Sequence, residues 1–183
     1  MKSILVVALF ISLGLQQVGC STTTTADQYY SLGLMEQEKG DLKEAIADYR
    51  TALLLNPDHV SAHNNLGAAL LAKGEMEEAI VEFRTALRLN PDHVNAHNNL
   101  GKVLVLKGDL EGAIAEFRTA IRLAPNYAPA HYSLGKALQK KGDFVLARKE
   151  FEEALRLIPQ TPPYQAIRTT IQSNLSDLDK LQP

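Results

Sequence analysis

The histidines of this chain are the first residues whose spacing could do chemistry. His59 and His63 stand four residues apart, and His93 and His97 repeat the arrangement. On a helix, side chains four apart share a face, so each pair would present two imidazoles to one point, the start of a zinc site. A zinc site needs three or four protein ligands. No carboxylate or thiol completes either pair in sequence, and the second pair is copied together with its surroundings. The histidines therefore read as structural. The single cysteine, Cys20, excludes an intramolecular disulfide. There is no glycine-rich phosphate loop between a strand and a helix, no strand pattern, and no nucleophile elbow. The expectation is a chain without a catalytic site, a cofactor or a metal.

The elements that carry these residues are repeated. Leu-Gly pairs occur at Leu32-Gly33, Leu66-Gly67, Leu100-Gly101 and Leu134-Gly135, each 34 residues after the last. Aligned on them, Gly40, Gly74, Gly108 and Gly142 form one column, and Ala45, Ala79, Ala113 and Ala147 another. Tyr49, Phe83, Phe117 and Phe151 make an aromatic column, followed by Ala52, Ala86, Ala120 and Ala154, and Pro57, Pro91, Pro125 and Pro159 close the units. Val60–His93 and Val94–Tyr127 are identical at 21 of 34 positions.

Each column has a physical meaning. Gly40 and its equivalents fall between two apolar-periodic stretches, where a helix ends in a left-handed residue and the chain reverses. Gly33 and its equivalents fall inside a helix, where glycine costs about 1 kcal/mol relative to alanine. A cost repeated in every unit implies a repeated gain, namely close approach of a neighbouring helix. The aromatic column is expected to fill the gap between repeats. Each proline stops helix continuation, and Asp58, Asp92 and Asn126 are expected as the next N-caps.

First helices are predicted over Asp27–Lys39, Val60–Lys73, Val94–Lys107 and Ala128–Lys141, and second helices over Leu42–Leu55, Met76–Leu89, Leu110–Leu123 and Phe144–Leu157. After Thr161-Pro162-Pro163, the residues Tyr164, Ile167, Ile171, Leu175 and Leu178 recur at spacings of 3 or 4, predicting a ninth helix with one apolar stripe. It reads as a cap on the fourth repeat, with a dimerisation helix as the alternative.

The pattern resembles the tetratricopeptide repeat, a 34-residue helix–turn–helix. The resemblance covers Ala26 to Thr161. It implies an all-α solenoid of four repeats (26–59, 60–93, 94–127 and 128–161) followed by a capping helix and tail at 162–183. One departure is the aromatic early in the first helix, which is Tyr29 in the first unit but His63, His97 and His131 in the others.

The resemblance implies that the first helices line a concave groove that takes extended or helical peptide. The groove columns then hold Tyr30, Asn64, Asn98 and Tyr132; Ser31, Asn65, Asn99 and Ser133; and, one turn on, Leu34, Ala68, Lys102 and Lys136. Asparagine offers a donor and an acceptor together, so a row can pair with a peptide backbone whatever its sequence. Asn65 and Asn99 resemble the asparagine ladder of the O-GlcNAc transferase superhelix. The carboxylate clamp of the chaperone-binding subgroup would fall on Tyr30, Leu34, Asn65, Asn95 and Asn99; only Asn65 suits it, so that activity is not expected. The groove is electrically graded, with Asp27 and Glu38 toward one end and Lys102, Lys136 and Lys140 toward the other. An acidic side chain of a bound peptide would lie near the lysines. The implied function is a protein-interaction scaffold, with structural oligomerisation through repeat edges or the last helix as the alternative.

The N-terminus bears on location. Lys2 precedes an unbroken run of apolar or small residues from Ile4 to Leu15, shorter than the ~20 residues of a spanning helix. Val18-Gly19-Cys20 resembles a bacterial lipobox, at which a signal segment (1–19) is removed and Cys20 is lipidated. Gln17 departs from the aliphatic residue usual there. Ordinary secretion and an uncleaved anchor are the alternatives. Residues 20–25 would be a tether without regular structure, and Ser21 after the cysteine resembles outer-membrane sorting. Lipoproteins of this kind serve as adaptors for cell-wall hydrolases or for pilus and secretion assembly. Without residues 1–19 the chain keeps 18 Lys+Arg against 21 Asp+Glu, a net charge of −3. That balance offers no basic footprint for nucleic acid.

Overall fold

The computed structural model describes residues 21–181. The signal segment and Cys20 lie outside the described residues, as do the last two residues of the tail. The described helices are α1 (Ser21–Lys39), α2 (Leu42–Leu55), α3 (Val60–Lys73), α4 (Met76–Leu89), α5 (Val94–Lys107), α6 (Leu110–Leu123), α7 (Ala128–Lys141), α8 (Phe144–Leu157) and α9 (Gln165–Leu181), with a 3-10 turn at Pro162–Tyr164 before the last. No strand occurs among the described residues.

Within each repeat the reversal rests on glycine. Gly74 lies at φ +92°; its N–H donates to the Leu71 carbonyl (3.0 Å), and the Glu75 N–H reaches back to the Leu70 carbonyl (2.9 Å). This satisfies two of the last four carbonyls of α3, and Gly40, Gly108 and Gly142 share the left-handed conformation.

The second glycine column sets the packing of the hairpin. A Cβ on Gly101 would lie 2.6 Å from Cε1 of Phe117, and the same clash recurs at Gly33 with Tyr49, Gly67 with Phe83 and Gly135 with Phe151. Each ring of the aromatic column packs first on the glycine of its own repeat, a contact beyond the expected one between repeats. From there it reaches onward, since Phe117 shares a core cluster with Leu134 and Leu138 of the following repeat. The alanine columns are fully buried on the second helices. Two clusters, one from Ala45 to Val103 and one from Ala113 to Leu178, meet at Leu104 and make the core continuous along the stack.

Three local expectations fail. α1 begins at Ser21, so residues 21–25 extend the first helix instead of forming an irregular tether. Once a helix is nucleated, each added residue gains a hydrogen bond, and threonine is only a moderately poor helix former. The N-caps of α3 and α5 are His59 and His93, whose Nδ1 atoms accept the N–H of Ala62 and Ala96 (3.2 Å each), not Asp58 and Asp92. Asp58 and Asp92 belong to the preceding turn, where their N–H groups donate to Asn56 (3.2 Å) and Asn90 (3.0 Å). Asn126 gives way to Tyr127, which supplies no side-chain cap.

α9 packs on α8 and buries Ile171 and Leu178 completely. Arg168 donates to the carbonyls of Leu155 (2.8 Å) and Ile158 (2.7 Å), groups at the end of α8 that would otherwise lack partners. Arg148 of α8 pairs with Asp179 of α9 (2.5 Å). The helix therefore caps the solenoid within the chain. Tyr164 and Ile167, at the start of its stripe, stay exposed.

Candidate concave groove

Successive first helices touch one another, α3 with α5 and α5 with α7, while the second helices make no comparable contact. The first helices are thus the inner layer of the stack, and the groove columns lie on it.

Adjacent groove columns have different fates, because neighbouring helical residues point about 100° apart. Asn64 and Asn98 are buried, so they support the groove instead of lining it. Asn65 and Asn99 are partly exposed and tie one repeat to the one before. Asn65 Nδ2 donates to the Tyr30 hydroxyl (3.1 Å), and Asn99 Nδ2 donates to Asn64 Oδ1 (3.1 Å). Asn64 in turn donates to Asn65 (2.9 Å), so the chain of amides runs Asn99, Asn64, Asn65, Tyr30. Each rung joins residues 35 apart. The next rung would run from residue 133 to Asn98, but residue 133 is serine, and Asn98 Oδ1 is buried without a donor. The ladder stops where its asparagine stops.

The lysine-bearing end is different. Lys102 and Lys136 are exposed on the walls of a cleft of about 550 Å³ whose apolar lining includes Leu71, Leu106, Tyr132 and Ile167. Enough protein surrounds the Lys102 ammonium to push its pKa down by desolvation. Tyr132 leans on Phe151, with ring centroids 5.9 Å apart. Lys140 turns to the Val105 carbonyl (3.4 Å). At the opposite end, Asp27 meets His59 Nε2 (3.2 Å), and Tyr30 lies against the His59 ring at 4.7 Å. The structure thus gathers Tyr132, Lys102 and Lys136 at one cleft, holds Tyr30, Asn65 and Asn99 in the ladder, and leaves Lys140 at the margin.

Sequence reasoning missed the role of the His63, His97 and His131 column. His97 Nδ1 meets Glu116 of its own repeat (2.6 Å), and its Nε2 donates to the Pro91 carbonyl (2.8 Å); His63 with Glu82 and Pro57, and His131 with Glu150 and Pro125, match it. Both ring nitrogens face acceptors, which favours the imidazolium. The Glu116 and Glu150 hydrogen bonds accordingly raise His97 and His131 against the effect of burial. At His63 burial is the largest influence and opposes, but the bonds to Glu82 and Pro57 outweigh it. A glutamate 19 residues after each histidine was the available signal. No cluster of metal-ligating side chains forms among the described residues.

Sequence comparison matches the TPR repeat over residues 33–74, 68–108 and 101–142, and the tetratricopeptide repeat over 128–161. The chain belongs to the tetratricopeptide-repeat family. Among solved structures it is similar to PilF of Pseudomonas aeruginosa, with 25% identity, TM-score 0.75, and coverage of 86% of this chain and 68% of that one. It is similar also to the thermophilic TPR protein TTC0263 of Thermus thermophilus, with 25% identity, TM-score 0.70, and coverage of 84% and 80%. MamA shares the fold at 24% identity and TM-score 0.64, covering 85% of this chain and 87% of that one. No curated protein matches the chain by sequence. Tetratricopeptide repeats mediate protein–protein interaction and are typically non-enzymatic. No helix among the described residues is long and apolar enough to cross a membrane.

Proposed function

We propose that this protein is a non-enzymatic adaptor that holds a segment of a partner protein in the concave groove, and that lipid on Cys20 fixes it to the bacterial envelope, on the periplasmic side of the outer membrane. The observation that carries the groove reading is the open cleft beside Lys102 and Lys136 on the inner layer. Partly exposed amides of Asn65 and Asn99 continue from it along the same layer. A concave surface built from successive repeats is the usual binding face of a solenoid. The anchor reading rests on the Val18-Gly19-Cys20 sequence after an apolar run.

A photo-crosslinking residue placed at Lys140, exposed at the margin of the cleft, in the full-length protein in its own envelope tests the groove. The partner should be captured there and not from Val81, which is 60% exposed on a second helix. Capture from Val81 alone would move the partner to the convex face. Fractionation of wild type and Cys20→Ala tests the anchor: the variant should leave the membrane fraction and lack the acyl mass. Oligomerisation through the open N-terminal edge is a second reading, motivated by Leu32 and Met35, 43% and 51% exposed. Light scattering of the mature chain separates it, since an adaptor needs only a monomer.

A further inference from the structure

The lysines of the first helices differ in their partners. The lysine that closes each first helix is paired: Lys39 with Glu36 (2.8 Å), Lys73 with Glu75 (2.7 Å), Lys107 with Glu77 (3.1 Å) and Lys141 with Glu111 (2.8 Å). Lys102 and Lys136, one repeat apart on the inner layer, have no carboxylate partner among the described residues. Between them lies the cleft, whose volume of about 550 Å³ falls in the range of pockets that take a substantial ligand. Its apolar wall is completed from outside the repeats by Ile167 of α9. The stripe to which Ile167 belongs is fully buried at Ile171 and Leu178, yet Ile167 itself is 39% exposed. Capping accounts for the far end of the stripe and leaves its beginning as cleft lining.

We propose that this cleft is an anchor pocket for an acidic amphipathic segment of the partner: a leucine-sized or aromatic side chain enters between Leu71, Leu106, Tyr132 and Ile167, while flanking carboxylates pair with Lys102 and Lys136. The inference rests on the groove reading above and adds the chemistry of the ligand. An apolar anchor in a pocket with a charged rim is the arrangement that concentrates binding energy at a centre and selects partners at its edge. Two ammoniums without partners reject a basic segment by repulsion and favour an acidic one, so the pair sets specificity by both signs.

The test uses the mature full chain and a labelled peptide with leucines at helical spacing between glutamates, followed by fluorescence anisotropy. Two companions replace its glutamates by lysines or its leucines by alanines. The glutamate–leucine peptide should bind at least about tenfold more tightly than either companion, a difference of about 1.4 kcal/mol, and should weaken as salt rises. Lys102→Glu with Lys136→Glu should invert the order of the acidic and basic peptides. Leu106→Ala and Ile167→Ala, both at exposed positions, should weaken the leucine peptide and leave the alanine one unchanged; thermal melts check that every variant folds. Equal binding of acidic and basic peptides, or an order unchanged by the charge swap, would overturn the inference. Failure of all three peptides to bind would overturn it too. Crosslinking of the native partner at Lys140, which the inference does not use, decides the groove reading separately in each case.

Discussion

The interrupted amide ladder gives a substitution that should stabilise the protein. Asn98 Oδ1 is buried without a donor because residue 133 is serine where Asn65 and Asn99 supply an amide. Ser133→Asn would extend the rung that Asn99 makes to Asn64 at 3.1 Å, with the same offset of 35 residues. A buried acceptor left unpaired costs about 1–3 kcal/mol. Ordering the new side chain costs about 1 kcal/mol, and serine and asparagine differ little in helix propensity. The expected net gain is about 1 kcal/mol, or about 2–4 °C in melting temperature for a chain of this size.

Urea denaturation of the mature chain measures the gain directly. The midpoint should rise with an unchanged slope, since the surface exposed on unfolding hardly changes. A second background makes the test specific. In Asn98→Ala the unpaired oxygen is gone, so Ser133→Asn should add nothing. A lowered midpoint in the wild-type background would refute the argument, as would a gain that survives removal of Asn98. Either result would mean that the amide at 133 does not take the geometry of Asn65 and Asn99.

Phe117→Ala should cost about 3–5 kcal/mol in the same melts, the range for truncating a buried phenylalanine; a loss below about 1 kcal/mol would place the ring at the surface. Gly101→Ala should destabilise by up to about 2 kcal/mol, because displacing the Phe117 ring costs about 1–3 kcal/mol against the propensity gained by removing glycine, about 1 kcal/mol; any rise in stability would show that the ring moves freely. The His97–Glu116 pair predicts a pH dependence with a definite sign. The folded pKa of His97 is raised, so its contribution is fully present below the unfolded value of about 6.5 and is lost as pH rises through the folded one. His63 and His131 act in the same direction. His93 is lowered by burial, so its contribution is present above about 6.5 and lost as pH falls through its folded pKa. Urea midpoints should therefore fall on the alkaline side of pH 6.5 and fall again in more acid solution, and His97→Gln should flatten only the alkaline limb. An alkaline limb equally steep in that variant would sink the assignment.

The hairpins were legible because each of their determinants is a residue type at a fixed place. Only glycine suits the φ of +85 to +94° at Gly40, Gly74, Gly108 and Gly142, so the reversal points showed in the sequence. The proline column fixed the other end of each unit, and the second-helix boundaries fell where expected. What stayed hidden depends on a rotation of one residue or on partners far apart in the chain. Asn64 and Asn65 are neighbours of the same type, yet one is buried and the other partly exposed. Asp58 falls one residue before the cap position, inside the turn begun at Asn56, and it is His59 Nδ1 that accepts the Ala62 N–H. The histidine–glutamate pairs join the first helix of a repeat to its second, a link that periodicity within one helix does not reveal.

The same contrast bears on where specificity resides. Residues common to every repeat make the scaffold: the two glycine columns, the alanines and the buried ring. Scaffold positions repeat because each hairpin must pack on the next in the same way. A ligand is not periodic, so the residues that recognise it have no reason to repeat. On the inner layer the middle repeats share Asn64-Asn65 and Asn98-Asn99, whereas the outer ones carry Tyr30-Ser31 and Tyr132-Ser133. Lysine occupies the next groove column only in the last two repeats, at Lys102 and Lys136. Of these departures Tyr132, Ser133, Lys102 and Lys136 converge on one cleft, to which the non-repeated helix α9 adds Ile167. Substitutions in the repeated columns should therefore lower stability with little change in ligand preference. Substitutions at Lys102, Lys136 and Ile167 should change preference with little loss of stability.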